Sequence, residues 1–249
     1  MRKTLILLTT AFFLSCSSIS HISHLQKSTF PVKSFVKIFK ILKVEECKKV
    51  KGTPCKTGDE FVSTGSGISV GVVKGGSLIM TAGHVCQVSE SPNIKNLIKK
   101  YKVIIKVQTI NNALATSDVV LSVNGGHKKS DLCMLHAKNI QIEGVKLSPS
   151  GPDLGDKVFA LSAPAGIFHP PTMPIFEGRY SGLTSGVNSM VTIPAIGGSS
   201  GSAILNNRME LVGILFATHP MFNIVTLSSS YKSTAIFMNK GFKKVFGID

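Results

Sequence analysis

Three short motifs hold the residue types that acyl transfer requires, and they occur in the order His, Asp, Ser. His84 lies in Thr81-Ala82-Gly83-His84-Val85, Asp131 in Ser130-Asp131-Leu132, and Ser200 in Ile196-Gly197-Gly198-Ser199-Ser200-Gly201-Ser202-Ala203. An imidazole can take the proton of an attacking serine hydroxyl, while a carboxylate orients the imidazole and stabilises its cation. Glycines around Ser200 let the backbone turn tightly and aim N–H groups at one point. The N–H groups of Gly198 and Ser200 are candidates for an oxyanion hole, the donor pair that holds a tetrahedral intermediate. A Gly/Ser-rich octet alone would be an ordinary turn. The ordered trio gives it chemical meaning. Asp118, in Thr116-Ser117-Asp118-Val119-Val120, also precedes an apolar run, so local pattern leaves both Asp118 and Asp131 open as the partner of His84.

Strand-like segments flank each motif and must position it. Residues 61–82 read as two strands joined by a Lys74-Gly75-Gly76 turn, the second leading straight into His84. Residues 101–107 and 119–123 read as further strands, and Asp131 opens the apolar run Leu132-Cys133-Met134-Leu135. In residues 32–44, Lys33, Lys37, Lys40 and Lys43 punctuate apolar sequence at a spacing that also fits a basic amphipathic helix on a membrane. The β-branched and aromatic content (Val36, Ile38, Phe39, Ile41, Val44) predicts a strand instead. Residues 45–60 read as a hairpin-like excursion carrying Cys47 and Cys55. After a Pro/Gly/Ser-rich link at 148–155, strands are expected at 157–161, 176–183, 190–193, 203–205 and 211–217. Ile236, Phe237, Phe242 and Val245 recur at helical spacing within 233–246 and predict a C-terminal helix.

A chain of 249 residues can bury a sizeable core. Its +15 net charge comes from 25 lysines and only three arginines, against 13 acidic residues. Such a balance suits an anionic partner in general, but bidentate phosphate and base-edge readout favour arginine, and the lysines are dispersed. No specific nucleic-acid partner is expected, and the lysines read as a solvated surface. Met1-Arg2-Lys3 and the apolar residues 5–14 read as a signal peptide, too short to span a bilayer comfortably. Residues 16–31 read as a tether. His21 and His24 within it lack thiol or carboxylate partners, so no metal is expected, and no cofactor motif is visible.

Taken together, Gly65-Ser66-Gly67-Ile68-Ser69-Val70, Gly76-Ser77-Leu78-Ile79-Met80-Thr81-Ala82-Gly83-His84-Val85, Asp131-Leu132-Cys133-Met134-Leu135 and Gly198-Ser199-Ser200-Gly201-Ser202-Ala203 resemble the signature motifs of trypsin-like serine proteases, in their bacterial and phage-type branch. The resemblance covers about residues 32–245. It implies an all-β chymotrypsin-like fold: two six-stranded antiparallel β-barrels, at 32–147 and 148–249, with the C-terminal helix packed on the second. It favours Asp131 over Asp118, giving a His84, Asp131, Ser200 triad with Gly198 and Ser200 as oxyanion donors. Ser162-Ala163-Pro164-Ala165-Gly166 resembles the family's Gly-x-Pro-x-Gly corner, with Ser162 in place of the first glycine. The resemblance starts the substrate pocket near Pro194 and walls it with Phe216, Ala217 and Thr218. No acidic residue lies at its base, so small or apolar side chains are expected; His219, a conceivable reader of acidic side chains, falls beyond the family's position. Ser199 stands where trypsin has the Asp that pairs with a newly cut N-terminus, which implies folding directly to an active form.

Phe13-Leu14-Ser15-Cys16 resembles a bacterial lipoprotein box, with Phe13 where Leu is usual and Cys16 as the lipidation candidate. If Cys16 carries lipid, four cysteines remain to pair. Cys86 and Cys133 each follow a presumed triad member by two residues, so Cys86–Cys133 and Cys47–Cys55 is the preferred pairing, with buried free thiols as the alternative. The expectation is an exported serine endopeptidase acting on protein or peptide, monomeric, and periplasmic, lipid-anchored to a membrane through Cys16, or secreted. The competing reading is an inactive protease-fold binding protein that uses its basic surface.

Overall fold

A computed structural model describes residues 30–48, 55–87, 96–125 and 130–248. The signal-peptide, tether and Cys16 expectations fall outside these residues. Six strands, β1 (Phe35–Cys47), β2 (Glu60–Val73), β3 (Gly76–Thr81), β4 (Ile98–Thr109), β5 (Leu114–Asn124) and β6 (Asp131–Lys138), close in the order β1-β2-β3-β6-β5-β4. Another six, β7 (Lys157–Leu161), β8 (Ile175–Ser185), β9 (Asn188–Val191), β10 (Ala203–Leu205), β11 (Leu211–His219) and β12 (Phe222–Ser229), close as β10-β11-β12-β9-β8-β7. Every pairing within both barrels is antiparallel. This is the chymotrypsin-like double barrel. A single helical turn, α1 (Gly83–Cys86), follows β3, and α2 (Tyr231–Phe246) ends the fold.

β1 shows why the lysine-punctuated segment is a strand. Val36, Ile38, Leu42 and Val44 share one parity and are buried, while Lys43 and Glu45 on the other are exposed. A two-residue period fits a sheet face and no helix. Lys40 sits on the same, inward parity. Each barrel has its own interior: Val36, Ile38, Ile79, Val107 and Leu135 in the first, and Val158, Ala160, Val191, Ile193 and Ile204 in the second. A third cluster joins them, running from Phe35, Ile68, Met80 and Met134 to Leu161, Ala203, Leu211 and Ile214. The two barrels are therefore joined by continuous apolar packing.

Two features differ from the sequence expectation. β12 was not anticipated, because its buried positions are hydroxyl residues (Thr226, Ser228, Ser229) while Phe222 and Ile224 are exposed. The usual apolar alternation is inverted there. α2 begins on Ser230, whose Oγ accepts from Ser233 N, and ends at Gly247 in the left-handed region. It packs on the first barrel as well as the second: a Cβ at Gly241 would lie 2.3 Å from Met134 Sδ of β6, and the Phe242 ring faces Gly71 of β2. Helical periodicity identifies which face is apolar but cannot say what it covers.

Candidate active site

α1 carries His84 at the mouth of the first barrel. The chain reaches it through Gly83, where a Cβ would stand 2.2 Å from Val123 O and 2.5 Å from Asp131 Oδ1. That close approach lets one carboxylate hold His84 twice: Asp131 Oδ2 lies 2.7 Å from His84 Nδ1, and Oδ1 accepts His84 N–H at 2.8 Å. Asp131 is only 4% exposed, whereas the His84 side chain is 37% exposed and open to the cleft. An acceptor at Nδ1 leaves Nε2 as the proton-accepting nitrogen of the neutral ring. Asp118, the alternative partner, points to solvent and pairs with Lys138 at 2.6 Å. The sulfurs of Cys86 and Cys133 are bonded, tying α1 to β6 two residues beyond His84 and Asp131, and Cys47 is bonded to Cys55.

Lys40 completes the seat of α1. From the inward face of β1 its Nζ donates to His84 O at 3.0 Å and to Gln87 O at 2.8 Å, capping the carbonyls that end the turn. Burial lowers the Lys40 pKa from its ordinary value. The reading of the lysines as a solvated surface fails for this one; within a run of interspersed lysines, only strand parity singles it out.

The Ser200 loop crosses from the second barrel to meet this turn. Ser66 N donates to Ser200 O at 2.8 Å, and a Cβ on neighbouring Gly65 would touch both Val85 and Ser200 O. Ser200 thus sits one residue's width from the His84 turn. Among the described residues no hydrogen bond joins Ser200 Oγ to His84 Nε2, a contact that often tightens only when substrate binds. Gly198 adopts φ +92°, and a Cβ there would lie 2.5 Å from Ala163 O, so only glycine fits. Neither Gly198 N–H nor Ser200 N–H has a hydrogen-bond partner among the described residues. Ser199, 1% exposed, turns its Oγ inward to accept from Ile196 N at 3.3 Å.

Beside Ser200 is a cavity of about 190 Å³ lined by Ala195, Ile196, Gly197, Leu215, Phe216, Ala217 and Thr218. Phe216, Ala217 and Thr218 are among the lining residues, and the lining begins at Ala195, one residue past Pro194. No charged side chain lines it. His219 lies outside, its Nδ1 accepting from Met221 N at 3.3 Å within its own hairpin. No group of three or more His, Cys, Asp and Glu among the described residues could hold a metal. No described helix is long and apolar enough to cross a membrane.

The family description "Trypsin-like peptidase domain" matches residues 65–214, and the chain belongs to that family. Its fold is similar to that of the serine endoprotease from Yersinia pestis, with 18% identity, a TM-score of 0.60, and coverage of 85% of this chain and 64% of that one. The active form of the Rv3671c protease from M. tuberculosis gives 15% identity, a TM-score of 0.59, and coverage of 82% and 79%. An inactive mutant form of the same protease gives 14% identity and a TM-score of 0.55, covering 84% of this chain and 87% of that one. No curated protein matches the chain.

Proposed function

We propose that the protein is an exported serine endopeptidase that cleaves peptide bonds through an acyl-enzyme. The observation that carries this reading is the double hold of Asp131 on His84, through both ring Nδ1 and backbone N–H, beside the Ser200 loop. Ser200 Oγ attacks the scissile carbonyl carbon as its proton passes to His84 Nε2, and Asp131 stabilises the imidazolium. The carbonyl oxygen becomes an oxyanion held by the free N–H groups of Gly198 and Ser200. Collapse expels the amine, which takes the proton from His84, and leaves the acyl group on Ser200. His84 then deprotonates water for the reverse sequence, and the carboxylic acid departs with Ser200 restored.

The uncharged cavity beside Ser200 supports substrates with a small or apolar side chain at the cleavage site. Ser199 engaged with Ile196 N supports a chain that folds directly to its active form without a cut N-terminus. Two disulfides fit an extracellular or periplasmic compartment. The basic n-region and the apolar run after it support export, with Cys16 as the lipidation candidate and a periplasmic, lipid-anchored or secreted destination.

Fluorophosphonate labelling of the purified protein tests the reading. Wild type should label at Ser200, Ser200→Ala should not label, and His84→Ala should label far more slowly. A folded wild type that stays unlabelled would overturn it in favour of the inactive binding protein.

A further inference from the structure

A donor pair is useful only if its N–H groups are held facing the substrate, and the loop that bears them is rich in glycine. In a trans peptide the C=O and N–H point opposite ways, so whatever holds a carbonyl also aims the next N–H. Gly197 O accepts Ala165 N–H at 2.6 Å, which turns Gly198 N–H away from that corner. Ser199 O accepts Ser202 N at 3.0 Å and Ser202 Oγ at 2.7 Å, which turns Ser200 N–H outward. Between them, Gly198 O accepts the hydroxyl of Ser66 at 2.9 Å.

Ser66 is fully buried and belongs to β2, in the opposite barrel. Its Oγ also accepts Ala163 N–H at 2.9 Å. Ala163 opens the corner whose Ala165, held at φ 52°, supplies the N–H to Gly197 O. One hydroxyl therefore acts at two points: it holds the Gly198–Ser199 peptide that links the two donor peptides, and it seats the corner that grips the Gly197 carbonyl. Without a side chain, Gly197 and Gly198 would rotate at little cost, and a reversed peptide would aim a carbonyl at the oxyanion. We propose that Ser66 is the positioning residue that keeps the oxyanion-hole peptides donor-outward. This inference rests on the proposed roles of Gly198 and Ser200. The other bonds of Ser66, N–H to Ser200 O and C=O from Thr81 Oγ1, are backbone bonds that an alanine would keep. Ser66→Ala thus removes the lock while leaving the seat of the loop.

The test compares wild type, Ser66→Ala and Ser66→Cys, the last keeping the shape with a weaker donor. Each is counted by fluorophosphonate titration, assayed on a peptide substrate, and inhibited by a peptide aldehyde whose hemiacetal oxygen occupies the hole. Ser66→Ala should lower kcat about 10- to 100-fold with KM within about twofold, and weaken the aldehyde by the same factor as kcat/KM. Ser66→Cys should fall between the two, and it carries the test alone if Ser66→Ala does not fold. A kcat per titrated site within about threefold of wild type would overturn the inference, as would a fall confined to KM. A wild type that does not label would instead remove the underlying enzyme reading, so the two failures are distinguishable.

Discussion

On the first-barrel side of the cleft, His84 is fixed by a buried carboxylate, a disulfide two residues on and a lysine capping its turn. On the second-barrel side, the Ser200 loop has neither disulfide nor ion pair among the described residues. It is held by hydrogen bonds to backbone carbonyls: two come from the opposite barrel, Ser66 N to Ser200 O and Ser66 Oγ to Gly198 O, and one lies within its own barrel, Gly201 N to Leu215 O. The difference follows from what each side must do. In the proposed mechanism the base carries a charge that appears and disappears, and a fixed counter-charge stabilises it. The proposed nucleophile loop must present unpaired N–H groups, so its carbonyls are held and its oxyanion donors left free. Charge and covalency secure one side, and directional backbone bonds the other.

The largest effect should come from replacing the carboxylate by its neutral amide. Asp131→Asn keeps the shape but offers one acceptor where His84 presents two donors, its N–H and Nδ1–H. The amide N–H₂ would face one of them and favour the wrong imidazole tautomer. We expect kcat to fall by about 10⁴-fold with KM little changed. A loss smaller than about tenfold would mean that charge is not what secures the base side.

The two disulfides separate covalent bracing of the site from bracing of the fold. Cys86–Cys133 spans 47 residues and joins the elements bearing His84 and Asp131; Cys47–Cys55 spans eight and joins the end of β1 to the segment before β2. Chain-entropy arithmetic gives about 4 kcal/mol for the longer loop and about 2.5 kcal/mol for the shorter. Double alanine variants, unfolded in urea, should show that order, and only the Cys86/Cys133 variant should lose kcat. Equal losses of kcat in both would contradict a special role for the bridge beside the site.

Much of this contrast was legible in the sequence, though unevenly. The motifs around His84, Asp131 and Ser200 stand in strand–turn contexts, and the pairing of Cys86 with Cys133 followed from the need to bring His84 to Asp131. The choice between Asp118 and Asp131 was not local: both open apolar runs, and only the barrel register turns one to solvent and the other to His84. Ser66 stood in plain view within Gly65-Ser66-Gly67, but its partners Gly198 and Ala163 are 132 and 97 residues away. Nothing in a one-dimensional pattern encodes a contact between barrels. The same holds for α2, whose apolar stripe gave no sign of its seat on Met134.

Lys40 offers the finest test, because its effect on the base side should depend on pH. Its pKa is lowered by burial, so the folded state binds its proton less tightly than the unfolded chain does. Between the lowered value and the ordinary 10.5, the unfolded state carries more protons, and the contribution of Lys40 to stability must rise with pH across that window. The neutral amine still donates to His84 O and Gln87 O. Lys40→Met removes both donors, at about 1 kcal/mol each. Urea unfolding of wild type and Lys40→Met should therefore show wild type ahead at neutral pH and further ahead as pH approaches 10.5. General relief of repulsion among the other lysines is common to both proteins and cancels in the difference. A gap that stays flat or narrows with pH would mean that the ammonium is well solvated where it stands, and that the His84 turn is secured by Asp131 and the disulfide without it.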